Sequence, residues 1–210
     1  MQDQAYFVAP PDGPGPGVLL LPSWWGLTAS VRQRADVLSD AGFTVLAPDL
    51  AFGERPVSED EAEQTLGDAD PNRLASLVVS SALLLAEKAA GALIGVLGLG
   101  MGGSMGLWLA VRRPQLVRAV VSFYGSQAID FAGTKADFQI HLAASDRFIS
   151  DDEAAFMEAT MGLEALDVAV VRHPATEHGF ADPESPAFDE TAAEAAWTSS
   201  IDFLKTRLHP

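Results

Sequence analysis

Twenty consecutive residues, Ala92 to Val111, carry no Asp, Glu, Lys or Arg, and glycine interrupts them at positions 95, 98, 100, 102, 103 and 106. A charge-free run of this length has two physical homes, a lipid bilayer or the interior of a folded domain. GxxxG spacings inside the run favour the bilayer. Against it, the run is broken by glycine and stands alone in a chain whose other apolar segments are short or amphipathic. The first part, "LIGVLGL" (93–99), is a compact apolar block, and "MGGSMGLWLAVRR" (101–113) follows at once with helical character. The run therefore predicts a buried strand that turns directly into a buried helix.

The rest of the chain repeats that alternation. Short blocks rich in Val, Ile, Leu and Phe predict strands at 17–23, 43–49, 117–125, 138–145 and 167–174. Between them lie helical patterns: 28–42 with Thr28 as N-cap and Gly42 just past the end, 71–91 with Pro71 at the start and Gly91 at the stop, 150–163, and 187–208. The Pro/Gly run "PPDGPGPG" at 10–17 reads as an early loop between short strands. Strands that are apolar throughout and alternate with helices give an α/β fold, a mostly parallel central sheet flanked by helices on both faces. Ligands bind such sheets beyond the carboxyl ends of the strands. That directs attention to Ser23–Trp25, Asp49, Gly98–Gly103, Tyr124, Ser145–Arg147 and Pro174–Phe180.

No linker divides the 210 residues, so the expectation is a single domain over 1–210. A formal net charge of −16, from 29 acidic and 13 basic residues, repels nucleic acid and anionic membranes and removes both from the expected partners. The absence of cysteine excludes disulfides, thiolate metal sites and a Cys nucleophile. "MQDQAYFV" has no basic segment leading into an apolar one, so the expected location is cytoplasmic. The expected oligomeric state is a monomer or small homo-oligomer, working without metal or cofactor.

"GLGMGGSMG" (98–106) fits three motifs in three frames. Gly98-x-Gly100-x-x-Gly103 is the dinucleotide fingerprint, but that loop belongs in the first βα turn with an acidic residue about twenty positions on. Here two βα units precede it and 118–127 contains no Asp or Glu. Gly102-x-Ser104-x-Gly106 is a serine-hydrolase elbow by its letters, yet a strand ending near Leu99 puts Ser104 a full turn into the helix, where a small residue packing helix on sheet is the simpler reading. Gly98-x-Gly100-x-Gly102 is the third frame, with glycine at the position of the attacking residue.

Two later segments fit the hydrolase frames. "AASD" ends at Asp146 after one strand and "ATEHGF" carries His178 after the next, giving the chain order elbow, acid, histidine. Such an aspartate fixes the imidazole tautomer while the histidine acts as general base. Each residue alone also has a plain reading, a loop aspartate capping the helix near Ser150 and a surface histidine. His141 alternates within a strand and reads as a satisfied core or sheet-face residue, His173 precedes a proline at a strand end, and His209 is near the terminus.

Together, "LPSWWGLTASVRQRADVLSDAGFTVLAPDL" (21–50), "GVLGLGMGGSMGLWLA" (95–110), "VVSFYG", "AASDRFIS" and "EHGF" resemble the dienelactone hydrolase family of α/β hydrolases over nearly the whole chain. The resemblance implies an eight-stranded α/β-hydrolase fold without a large cap, and hydrolysis of esters and lactones. It also implies a catalytic set of His178, Asp146 and the elbow residue, with Gly100 where the family has Cys or Ser. The backbone N–H groups of Met101 and Trp24 would form an oxyanion hole, which needs no side chain. Ser23 stands where the family commonly has a Glu that helps generate the thiolate. Asp182 stands four residues after the histidine, where founding enzymes have an arginine for an anionic substrate.

With that arginine position acidic and the chain at −16, the expected ligand is a small neutral or apolar molecule against Ser23, Trp24, Trp25, Phe123 and Tyr124. Three functions stay open at this level. The first is a hydrolase working weakly or through a His-activated water; the second is a non-catalytic small-molecule-binding descendant. The third is a hydrolase using Ser104, or one whose nucleophile at position 100 has been replaced by engineering.

Overall fold

A computed structural model describes residues 4–164 and 166–208, so His209 lies outside the described residues. Its elements in chain order are β1 (Ala5–Val8), β2 (Pro16–Leu21), α1 (Ala29–Asp40), β3 (Thr44–Pro48), α2 (Glu59–Asp68), α3 (Pro71–Lys88), β4 (Ala90–Leu99), α4 (Met101–Arg112), β5 (Val117–Phe123), β6 (Asp137–Ser145), α5 (Asp151–Leu163), β7 (Val168–Glu177) and α6 (Glu190–Leu208). The seven strands form one sheet in the order β1-β3-β2-β4-β5-β6-β7. All neighbours run parallel except β1, which pairs antiparallel with β3 at the edge. This is the α/β-hydrolase architecture with seven strands among the described residues in place of the expected eight.

Period-two alternation within the strands fills two cores. Leu19, Leu21, Val96, Val120 and Ile140 face α3, α4 and α5, where Val78, Leu107 and Met157 meet them. Val18, Leu20, Val45, Leu97 and Val121 face the other way, onto Leu38 of α1 and Trp197 and Leu204 of α6. Because both faces are covered, the central strands β2, β3 and β4 are apolar almost throughout, whereas the edge strand β7 is largely exposed. At about 1.5–3 kcal/mol for each fully buried large aliphatic side chain, this burial is the main force against chain entropy.

The helix signals act as expected at several ends. Thr28 Oγ1 accepts the Val31 N–H at 3.3 Å, and Gly42, just past the end of α1, has φ +104°. Pro71 opens α3 behind Asp70, and Ser150 with Glu153 makes a capping box on α5. Gly91 does not stop α3: the helix ends at Lys88, and Gly91 lies inside β4 with φ +91°. Helix α2 is an addition to the predicted elements. Its sequence "EDEAEQTLGD" carries little apolar patterning, and only Ala62 is buried, so periodicity gave no sign of it. Ser58 caps it, and three acids in its first turn complement the helix dipole.

The uncharged run is β4, the turn at Gly100 and α4, as the strand-to-helix reading requires. Among the described residues no helix is long and apolar enough to cross a membrane.

Candidate active site

The strand order decides which loops meet. Strands β6 and β7 are parallel neighbours, and Ser145 pairs with Glu177, so Asp146 and His178 leave the sheet side by side. His178 Nδ1 lies 2.8 Å from Asp146 Oδ2. With Nδ1–H donating to that carboxylate, Nε2 carries the lone pair and faces away from the aspartate. The other Asp146 oxygen accepts the N–H groups of Phe148 (2.8 Å) and Ile149 (3.0 Å), which holds the carboxylate still. The helix cap is Ser150, so Asp146 orients the imidazole and shapes its own loop.

Strand β4 lies at the sheet centre, and its end brings Gly100 beneath the same imidazole. Gly100 has φ +52° and ψ −115°, close to the first central residue of a type II′ turn, a conformation glycine adopts freely. Its N–H donates to the Phe123 carbonyl at 2.9 Å, which ties the turn to β5. A Cβ placed on Gly100 would lie 3.6 Å from His178 Nε2 and 3.8 Å from the Tyr124 ring, in ordinary contact with both. A Cβ on Gly102, by contrast, would collide with the Leu21 and Pro22 carbonyls. Of the three frames, the backbone fits Gly98-x-Gly100-x-Gly102: the middle residue faces the histidine and an outer one permits close packing.

Ser104 sits in the first turns of α4, half-buried on the wall of the same cavity. Its Oγ accepts the Ser126 N–H at 3.1 Å, so it fastens the loop after β5 and does not simply pack helix on sheet. His178 has Asp146 on one nitrogen and the Gly100 turn before the other.

A cavity of about 300 Å³ opens over Gly100 and His178, lined by Trp24, Leu66, Met101, Tyr124 and Phe148, with Ser23 and Glu63 also in its lining. Trp24 meets Phe148 edge to face at 5.2 Å, and Phe148 meets His178 at 4.7 Å. Met101 begins α4, so its N–H has no carbonyl four residues back within the helix. Tyr124, at φ +39°, lies 4.8 Å from the His178 ring, and its buried hydroxyl lacks a well-aligned partner among the described residues. Burial and the nearby Asp182 hold that phenol well above its ordinary pKa.

Trp25 and Phe123 do not reach the cavity. Trp25 is buried with its ring edge-on to Trp24, and Phe123 stacks on His141. Asp49 is also buried, accepting the N–H groups of Leu27, Ala51 and Gly53 and the guanidinium of Arg55. It locks the Trp24–Leu27 loop to the one after β3. Several lining residues escaped sequence reasoning: Glu63 and Leu66 on the unforeseen α2, Ser126 after β5, Phe148 and Ile149 in "SDRFIS", and the Met101 side chain. A second groove of about 520 Å³ adjoins the first across Trp24, Leu66 and Met101 and brings in Arg55 and Arg73, the latter over the Phe52 ring at 3.9 Å.

His141 is a satisfied core histidine, as expected, and His173 joins it. His141 Nδ1 lies 2.9 Å from His173 Nε2, and His141 Nε2 lies 3.2 Å from Ser200 Oγ. Burial lowers the pKa of both, to about 3 for His141. Among the described residues no group of His, Cys, Asp and Glu is placed to hold a metal ion.

This order of strand, turn, aspartate and histidine is shared with a known group. The family model described as "Dienelactone hydrolase family" matches residues 4–208. The chain belongs to the dienelactone hydrolase family. "Protein usf" of Aquifex pyrophilus is 28% identical over 96% of this chain and 93% of its own length. "Carboxymethylenebutenolidase 1" of Cupriavidus pinatubonensis is 23% identical over 95% of this chain and 90% of its own. The solved structure of a dienelactone hydrolase-like promiscuous phosphotriesterase from metagenomic libraries superposes with a TM-score of 0.79 at 24% identity, covering 97% of this chain and 98% of that one.

Within this dienelactone hydrolase fold, Ser23 and Asp182, two of the three positions at which the resemblance implied other residue types, touch each other. Ser23 Oγ and Asp182 Oδ2 are 2.5 Å apart, and both residues are buried. Burial, and then the neighbouring Glu184 carboxylate, push Asp182 up to about 8. Glu184 is itself held by Ser30 Oγ, which donates to it at 2.7 Å.

Proposed function

We propose that this dienelactone hydrolase family protein cleaves carboxylic esters or lactones of small neutral or apolar molecules by direct attack of water, with Gly100 standing where the family presents its nucleophile. The observation that carries the reading is the approach of the Gly100 Cβ direction to His178 Nε2, 3.6 Å, beside an Asp146–His178 hydrogen bond of 2.8 Å. The space that a side chain at position 100 would fill admits a water within reach of that nitrogen.

In the step proposed, His178 Nε2 takes a proton from this water as its oxygen bonds to the ester carbonyl carbon. The carbonyl π pair moves onto oxygen, where the N–H groups of Met101 and Trp24 receive the charge. As the tetrahedral species collapses, the carbon–oxygen bond to the leaving group breaks, and the alkoxide takes the proton from His178. Asp146 stabilises the transient imidazolium. The apolar walls from Trp24, Leu66, Tyr124 and Phe148 suit a neutral acyl or alcohol group.

The test is hydrolysis of p-nitrophenyl acetate by the purified protein and by His178→Ala. Loss of a general base lowers kcat/KM by roughly 10²- to 10⁴-fold. Equal activity in the two proteins would overturn the proposal.

A further inference from the structure

The hydroxyl of Ser23 lies between the cavity and a buried carboxyl, and its hydrogen bonds can be counted. A serine hydroxyl has one proton to give and two lone pairs. The Trp25 N–H donates to Ser23 Oγ at 3.4 Å, which uses one lone pair, and Asp182 Oδ2 lies on another side at 2.5 Å. When Asp182 is a carboxylate, it accepts the Ser23 proton, and the remaining Ser23 lone pair is turned to the cavity. When Asp182 is a carboxylic acid with its proton on Oδ2, the oxygen beside Ser23, that O–H donates to Ser23 Oγ and fills the second lone pair. The Ser23 proton then has only the cavity to point into.

We propose that Asp182 is a positioning residue that sets Ser23 as a hydrogen-bond donor to a substrate oxygen when it is protonated and as an acceptor, repelling that oxygen, when it is ionised. Ser23 lines the same cavity as Gly100 and His178 and precedes Trp24 in the chain, so its donor state adds a side-chain hydroxyl to the two backbone donors of the proposed hydrolysis. The inference rests on that reading for its kinetic arm only.

The groups facing Asp182 act in both directions. The Glu184 side chain beside it, itself held by Ser30 near the start of α1, favours the acid form, whereas the Glu184 N–H, donating to Asp182 Oδ1 at 3.3 Å, and the Ser23 hydroxyl favour the carboxylate. The Tyr124 hydroxyl, from the end of β5, stays protonated. Arg34 of α1, on the wall of a small cavity that Asp182 shares, is engaged by Glu194 of α6 at 2.6 Å. Burial is the largest influence and raises the carboxyl's pKa, to about 8.

Two measurements test this. The first is the pH dependence of kcat for p-nitrophenyl acetate in the natural chain, Asp182→Asn and Ser23→Ala. The natural chain loses activity as Asp182 ionises above neutrality. Asparagine, whose amide N–H donates to Ser23 at every pH, removes that basic limb, and Ser23→Ala both removes it and lowers kcat by about tenfold or more. A basic limb that persists unchanged in Asp182→Asn, or unchanged kcat in Ser23→Ala, would refute the role. The second reads the side chain itself, by following the ¹³Cγ resonance of Asp182. Its titration midpoint lies near 8 and rises in Ser23→Ala, because the serine proton stabilises the carboxylate. A midpoint in the ordinary aspartate range would refute the inference whether or not the protein hydrolyses esters, whereas equal activity in His178→Ala would refute only the hydrolytic reading.

Discussion

Placing a side chain at the turn asks the most direct question of the site. Gly100→Ser places a hydroxyl on a Cβ that lies 3.6 Å from His178 Nε2, with the Tyr124 ring carbons at 3.8 Å on its other side. One bond further out, the oxygen reaches hydrogen-bonding range of the imidazole, about 2.6–3.2 Å. The substitution is strained, because φ +52° is a backbone region that side chains rarely adopt. Holding a non-glycine residue there costs about 1–3 kcal/mol. For a chain of this size each kcal/mol corresponds to roughly 2–4 °C, so the melting temperature falls by roughly 2–12 °C while the far-ultraviolet spectrum is unchanged.

In return the variant gains a nucleophile beside an assembled base. Incubation with paraoxon followed by intact-mass measurement should show one diethylphosphoryl adduct per chain in Gly100→Ser and none in the natural chain. Adding His178→Ala to the variant should abolish labelling. Burst kinetics with p-nitrophenyl acetate should accompany it, and a tenfold rise in kcat/KM corresponds to about 1.4 kcal/mol of transition-state stabilisation. A folded Gly100→Ser that neither labels nor shows a burst would refute the assignment of residue 100 as the elbow position.

Other outcomes follow from the same geometry. Gly102→Ala drives a Cβ into the Leu21 and Pro22 carbonyls, backbone atoms that cannot swing aside, so chemical denaturation should show a loss of about 3 kcal/mol or more. Asp146→Asn leaves the loop contacts to Phe148 and Ile149 partly intact but removes the charge beside His178; ester hydrolysis should fall far more than melting temperature, and a parallel fall would mean a structural role only. The His141–His173 pair is buried neutral, with the His141 pKa depressed from 6.5 to about 3. The unfolded chain therefore binds a proton that the folded one refuses between those values, and stability is lost as pH falls below about 6.5. The loss approaches an upper bound of about 5 kcal/mol near pH 3. His141→Gln should flatten that part of the pH profile in urea titrations, and an unchanged slope would contradict the burial argument.

Much of this was legible in the chain because it depends on local chemistry. A charge-free run broken by glycines has to be buried, and β4 followed by α4 is the compact way to bury it. Thr28, Pro71 and Ser150 act at helix ends within three residues of themselves. The order of elbow, Asp146 and His178 marked three loops after three strands, but sequence had no means of measuring the distance between them. Helix α2 was invisible because its exposed, acidic surface carries no apolar period, and with it went Leu66 on the cavity wall. Trp25 illustrates the converse error: two adjacent tryptophans look equivalent in sequence, yet the backbone turns one toward the cavity and the other into the interior.

What the sequence determined alone was therefore most of the elements, α2 excepted, their apolar faces and the residue types available for chemistry. Tertiary structure decided which of those residues meet. Parallel pairing of β6 with β7 in register sets Asp146 against His178, the central place of β4 brings Gly100 beneath them, and the fold joins Ser23 to Asp182 across 159 positions of chain. Those encounters depend on strand order, a property of the whole sheet that no short stretch of sequence encodes.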